Sequence, residues 1–155
     1  MKLNFISLSL LLSLLLCGCR LATTTTRGEA HQEMYLFSYF NGNGDGLHLA
    51  YSYDGLKWEA LRDDTIWLRP MVGKDQLMRD PSIVQDDNGI FHMVWTSGWW
   101  DQGIGYASSE DLIHWSAQQN IPVMQGFEGT RNTWAPELFY DHADKTFYIF
   151  WASTV

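Results

Sequence analysis

The sequence predicts an all-β protein built from repeated antiparallel sheets, in the manner of a β-propeller. Three observations carry this. Short aromatic runs recur at a fixed interval, and Tyr35, Phe91 and Phe147 open three of them at equal spacing. An acid turn followed by tryptophan recurs with nearly the same period, at Asp54 and Trp58 and again at Asp111 and Trp115. No helical periodicity follows the first residues. A period of about 50 residues holding several short strands is the signature of a propeller blade.

The first copy reads as a strand over Tyr35-Leu36-Phe37-Ser38-Tyr39-Phe40, a turn over Asn41 to Gly46, and a returning strand over Leu47 to Ser52. The Asn41–Gly46 loop is dense in residues that favour turns. It has no lysine and opens no helix, so its support for a phosphate cradle is weak. Asp54-Gly55 turns the chain, and Leu56-Lys57-Trp58 is expected to begin a third strand. The second copy repeats this order: Phe91–Thr96, a loop from Ser97 to Gly103, Ile104–Ser109, a turn at Glu110-Asp111-Leu112, then Ile113-His114-Trp115. The third begins at Phe147.

Ahead of two of these runs stand Arg79-Asp80-Pro81-Ser82-Ile83-Val84 and Trp134-Ala135-Pro136-Glu137-Leu138-Phe139, separated by close to the same period. Proline cannot donate to a ladder and belongs at a strand start or a free edge. Asp80 and Glu137 are therefore expected to face one pocket from adjacent copies. Trp99, Trp100 and Trp134 lie in loops or at strand starts near it, where an indole can stack on a sugar or simply pack. His92 alternates along a strand and reads as packed; His114 and His142 fall in turns and read as exposed.

Composition narrows the function. A 46% apolar and 15% aromatic content supports a packed core. The net charge of −8, with no basic run, disfavours a nucleic-acid partner. No cluster has metal-ligand spacing. At the N-terminus, Lys2, a leucine-rich core and Leu16-Cys17-Gly18-Cys19 resemble a bacterial lipoprotein signal. Residues 1–19 are expected to be that signal, with Cys19 lipidated, and residues 20–32 a flexible tether. This places the domain, 33–155, in the bacterial cell envelope, anchored to membrane on the periplasmic or outer surface. Both cysteines lie in the leader, so no disulfide is available to the domain.

Taken together, Arg79-Asp80-Pro81-Ser82-Ile83, the run Tyr106 to Trp115, and Trp134-Ala135-Pro136-Glu137 resemble family 43 glycoside hydrolases over about residues 33–155. The resemblance implies a five-bladed propeller, of which about two and a half blades are present. The chain is thus expected to be an N-terminal fragment. It implies inverting hydrolysis of arabinose- or xylose-type glycans, with Asp80 as general base. Glu137 stands where the family carries an aspartate that tunes pKa and orients, and the general acid falls beyond Val155. Arg79, Trp99, Trp100 and Trp134 are the expected substrate contacts. No cofactor is implied, although some members of the family hold a cation at the propeller axis. Two alternatives stand beside this reading. One is a non-catalytic carbohydrate-binding surface lipoprotein, favoured by Glu at 137 and the absent acid. The other is a fructan- or sucrose-hydrolase-like propeller, which shares Arg-Asp-Pro but needs an earlier nucleophile motif.

Overall fold

A computed structural model describes residues 33–155. The leader, Cys19 and the tether lie outside the described residues. Among those described there is no helix, and every strand pairing is antiparallel. The first sheet holds β1 (Tyr35–Tyr39), β2 (His48–Ser52) and β3 (Glu59–Ala60). The second holds β4 (Arg79–Gln85), β5 (Phe91–Thr96), β6 (Ile104–Ser109) and β7 (Gln119–Ile121). The third holds β8 (Trp134–Asp141) and β9 (Thr146–Ala152). Each strand within a sheet pairs with the next in sequence.

The repeat fixes which strands correspond. By the even spacing of Tyr35, Phe91 and Phe147, β1 is the counterpart of β5 and β9. Strands β4 and β8, which carry the two proline motifs, are counterparts of each other. Within the described residues the first sheet has no equivalent of them.

Two clusters of buried side chains stack the sheets. In β5 the last four residues are all buried, because both faces of the strand are covered. Met93 and Trp95 point one way and join Leu47, Leu49 and Met78. Val94 points the other way and joins Ile104 and Leu138. The period-2 alternation of a strand thus sends neighbouring side chains into two different cores. In β8 the alternation is cleaner: Pro136, Leu138 and Tyr140 are buried while Ala135, Glu137 and Phe139 are exposed. One face of this strand packs and the other meets solvent.

The repeat is most exact in its turns. Ser52 Oγ accepts from the backbone N–H of Asp54 and Gly55, and Asp54 Oδ1 accepts from those of Leu56 and Lys57. Ser109 Oγ and Asp111 Oδ1 do the same for Asp111, Leu112, Ile113 and His114. Gly55 has φ +72° and its counterpart Leu112 has φ +63°, so a leucine occupies a left-handed position that glycine holds in the first copy. These turns also correct the expected third strands. The aspartate captures the residues after it, so Leu56-Lys57-Trp58 do not begin a strand and β3 is only Glu59–Ala60. In the second copy Trp115 makes an isolated bridge to Ser109, and β7 starts at Gln119.

Backbone donors at Lys57 and Leu56 hold the Asp54 carboxyl below the ordinary value of 3.8. Asp111 is held further below it, by the His114 backbone, then the His114 ring, then Ile113. A folded-state pKa below the unfolded one contributes stability that is complete above the unfolded value and lost as pH falls through the folded one. Melting temperature should therefore drop as pH is lowered below about 4. Asp111→Asn should flatten that drop. An identical acid profile in the variant would show that these turns do not set acid sensitivity.

Candidate active site

The two proline motifs share a backbone irregularity. Arg79 pairs with Thr96 and Ser82 with Val94, so three steps on β4 oppose two on β5. Likewise Trp134 pairs with Ala152 and Glu137 with Phe150. Each is a β-bulge with one extra residue, a device that re-aims side chains. At both bulges the residue before proline is left-handed: Asp80 has φ +50° and Ala135 φ +48°. Such backbone is costly for a residue other than glycine and persists only where the surroundings enforce it. Superposed by register, Asp80 corresponds to Ala135 and Ser82 to Glu137. The two carboxylates thus occupy different positions of the same bulge, one on each side of the proline.

Side chains lock the bulges together. Thr96 Oγ1, on buried β5, donates to Asp80 Oδ2 at 3.0 Å and accepts from the Ala135 N–H at 2.9 Å. Ser82 Oγ accepts from the Leu138 N–H at 3.0 Å and lies 3.4 Å from Glu137 Oε2, to which it donates. From the first sheet, Ser38 Oγ donates to the Pro81 carbonyl at 2.7 Å. Side-chain hydroxyls therefore join what the ladder leaves unpaired.

Asp80 and Glu137 line one cavity of about 480 Å³, together with Phe37, Tyr39 and Phe40 from the first copy and Ser82 from the second. All three copies contribute a wall. Tyr39 Oη donates to Asp64 Oδ1 at 2.5 Å, and Asn41 Nδ2 donates to Asp64 Oδ2 at 2.8 Å. Burial, then the hydrogen bond to and the charge of Asp64, push the Tyr39 phenol up to about 12. It is a donor throughout the neutral range. The hydrogen bond from Tyr39 is the chief cause holding Asp64 below its ordinary value. Behind it, buried His48 brings Nδ1 within 2.8 Å of Asp64 and Nε2 within 3.5 Å of Asp45. Neither approach has the alignment of a hydrogen bond.

The remaining expected site residues form a ridge beside the cavity. The Arg79 guanidinium lies between Phe40 and Trp99, 4.6 and 4.8 Å from their ring centroids, and donates to Asn43 Oδ1 at 2.8 Å. Trp134 Nε1 donates to the Trp99 carbonyl at 2.8 Å. Its ring meets Trp99 edge-on at 6.1 Å and Trp100 at 5.7 Å. Arg79, Trp99, Trp100 and Trp134 are thus brought together, with Trp99 and Trp100 still largely exposed. Glu137 is not paired with Arg79 or Arg131; among the described residues no Lys or Arg comes within ion-pair distance of a carboxylate. His92 is packed, its Nδ1 2.8 Å from Tyr106 Oη, while His114 and His142 are exposed, as expected.

Thr96, Ser82, Tyr39 and Asp64 were not singled out by the sequence. Ser82 could have been, since it stands one repeat before Glu137. Thr96 could not, because its partner across the hairpin depends on the bulge.

Two carboxylates in one cavity, with a ridge of three indoles beside it, are equipment suited to a carbohydrate-directed site. In agreement with this, residues 31–155 match the family described as a probable glycosyl hydrolase domain, one related to family 43. The chain belongs to that family, and the match points to hydrolase chemistry on a carbohydrate substrate. No curated protein matches the chain.

Proposed function

We propose that the protein is an inverting glycosidase acting on arabinose- or xylose-type glycans, with its sheets forming part of a five-bladed propeller. Asp80 is the general base. The observation that carries this is the shared cavity: Asp80 and Glu137 reach it from adjacent copies, and the Thr96 hydroxyl holds one Asp80 oxygen. A base must stay ionised and aimed, and a charge-assisted hydrogen bond supports both. An inverting hydrolase also needs room for water, with base and acid about 6.5–9.5 Å apart. Glu137 serves as the orienting carboxylate, and its negative charge keeps the proton donor protonated. In this reading the donor comes from a further copy of the repeat. Cys19 anchors the protein in the cell envelope.

A second reading is a carbohydrate-binding lipoprotein without turnover. It is favoured by Glu137, whose extra methylene shifts the carboxylate relative to the family's aspartate, and by the cavity holding only these two acids among its described lining residues.

The test is incubation of the protein, with every repeat its gene encodes, with aryl arabinofuranosides and xylosides, followed by proton NMR of the first anomer released. Inverted sugar is expected. Retained configuration would sink the mechanism, and binding without turnover would favour the second reading.

A further inference from the structure

A second cleft, of about 460 Å³, opens on the outer half of the second sheet. Four segments wall it: Lys74 from the loop before β4, Trp100 and Gln102 from the β5–β6 loop, Asn120 and Gln125 from β7 and the loop after it, and Arg131 just before β8. Its floor is packed closely. A Cβ on Gly103 would lie 2.0 Å from the Asn120 amide oxygen, so glycine lets that amide approach the backbone closely.

The charge of this cleft runs against that of the chain. The protein carries −8, yet two cations face this space with one carboxylate, Asp101. Asp101 is turned to the backbone: Oδ2 accepts from the Lys74 N–H at 2.8 Å and from Ser97 Oγ at 3.0 Å, and Oδ1 accepts from the Gly103 N–H at 3.3 Å. Among the described residues, neither Lys74 nor Arg131 has a carboxylate oxygen within ion-pair distance. Two unneutralised cations beside an indole and several amides suit a ligand that has an anionic group, a flat apolar face and hydroxyls.

The cleft is also joined to the Asp80 cavity. Trp100 contacts Trp134, Trp134 contacts Trp99, Trp99 covers Arg79, and Arg79 rests on Phe40, which lines that cavity. The links span 4.6 to 6.1 Å, so the ridge is continuous.

We propose that this cleft is a distal subsite for an acidic sugar residue of the same glycan whose neutral residue enters the Asp80 cavity. The inference rests on the glycosidase reading for what lies in that cavity. Lys74 and Arg131 take the anionic group, with the planar guanidinium suited to the two oxygens of a carboxylate. Trp100 takes a face of the ring. A uronate carboxylate and a sulfate ester share this chemistry.

Titration of the whole protein by calorimetry distinguishes the cases, using trigalacturonate, its carboxyl-reduced neutral counterpart and a sulfated galactan trisaccharide. The acidic sugar should bind about tenfold or more tightly than the neutral one, equivalent to about 1.4 kcal/mol. The double variant Lys74→Met, Arg131→Met should erase that preference and keep the neutral affinity and the circular dichroism spectrum. Preference for trigalacturonate over the sulfated probe would identify a carboxylate, and the reverse a sulfate ester; either supports the subsite. Equal binding of charged and neutral sugars, an undiminished preference in the double variant, or no binding of any probe would overturn it. Hydrolysis of neutral aryl glycosides, followed in parallel, reports separately on the Asp80 cavity. Turnover without acid preference leaves the glycosidase reading standing and removes the subsite. Acid preference without turnover does the converse.

Discussion

Asp80→Asn should lower glycoside hydrolysis by about 10²–10⁴-fold while moving the unfolding midpoint little. The two halves of this expectation have separate causes. Asparagine keeps the size of aspartate and can still accept from Thr96 Oγ1 through its carbonyl oxygen, so the link from Asp80 to Thr96 survives. Asparagine is also among the residues that best tolerate φ +50°, so the bulge has no new reason to relax. The amide cannot take a proton from water near neutral pH, so base catalysis is lost. Initial rates on an aryl glycoside and a thermal melt read the two halves independently. A rate within a few-fold of wild type would remove Asp80 as the base. A large loss of stability with the rate loss would make its role structural. Asp80→Ala is the less informative variant, because it removes the charge, the hydrogen bond and the tolerance of left-handed backbone at once.

Gly105→Ala should be among the most destabilising single-methyl additions in the protein. Gly105 on β6 faces Trp95 on β5 in register. A Cβ placed on it would lie 1.9 Å from Trp95 Cε2 and 2.3 Å from Nε1. Trp95 is fully buried in the cluster with Leu47, Leu49 and Met78, so the ring has nowhere to retreat. The strand cannot retreat either, because β6 is paired on both sides. Overpacking of this kind costs about 1–3 kcal/mol and more where backbone is held. We expect the upper end, about 3 kcal/mol, which lowers the melting temperature by roughly 10 °C or more in a domain of this size. A smaller ring should relieve it. Trp95→Leu costs stability alone through lost burial, yet in the Gly105→Ala background it should cost much less, giving a coupling well outside additivity. Additive effects, or a melt unchanged by Gly105→Ala, would contradict the packing described.

What the sequence disclosed and what it hid divide along local and non-local physics. The repeat was legible because Ser-x-Asp turns are local: the hydroxyl and carboxylate of Ser52-Tyr53-Asp54 and Ser109-Glu110-Asp111 bind backbone within a few positions, so the motif recurs wherever the turn does. The aromatic runs β1, β5 and β9 were legible for a similar reason. The third strands were misplaced because Trp58 and Trp115 look like strand residues, while the aspartate before them commits the chain to a turn. The shared cavity of Asp80 and Glu137 followed from proline placement. The bulges did not, since a residue before proline is biased towards extended backbone and Ala135 has no left-handed preference; the bond of Thr96 to Asp80 and to the Ala135 N–H accompanies the turn at both. Arg79 was expected to contact substrate, and its place between Phe40 and Trp99 depends on a distant loop of the first copy that carries Asn43.

The paired bulges have a consequence for how such a site can change. Each presents two outward positions, one before the proline and one after, and in each copy only one of the two holds an acid. Asp80 has its counterpart at Ala135 and Glu137 has its counterpart at Ser82, neither of them an acid. At Ala135 a carboxylate could therefore arise by substitution alone, with the backbone that displays it already in place, whereas at Ser82 it would replace the hydroxyl that accepts from the Leu138 N–H. Duplicated sheets of this kind carry spare mounting points. The divergence of copies needs no new fold to try a new arrangement of charge.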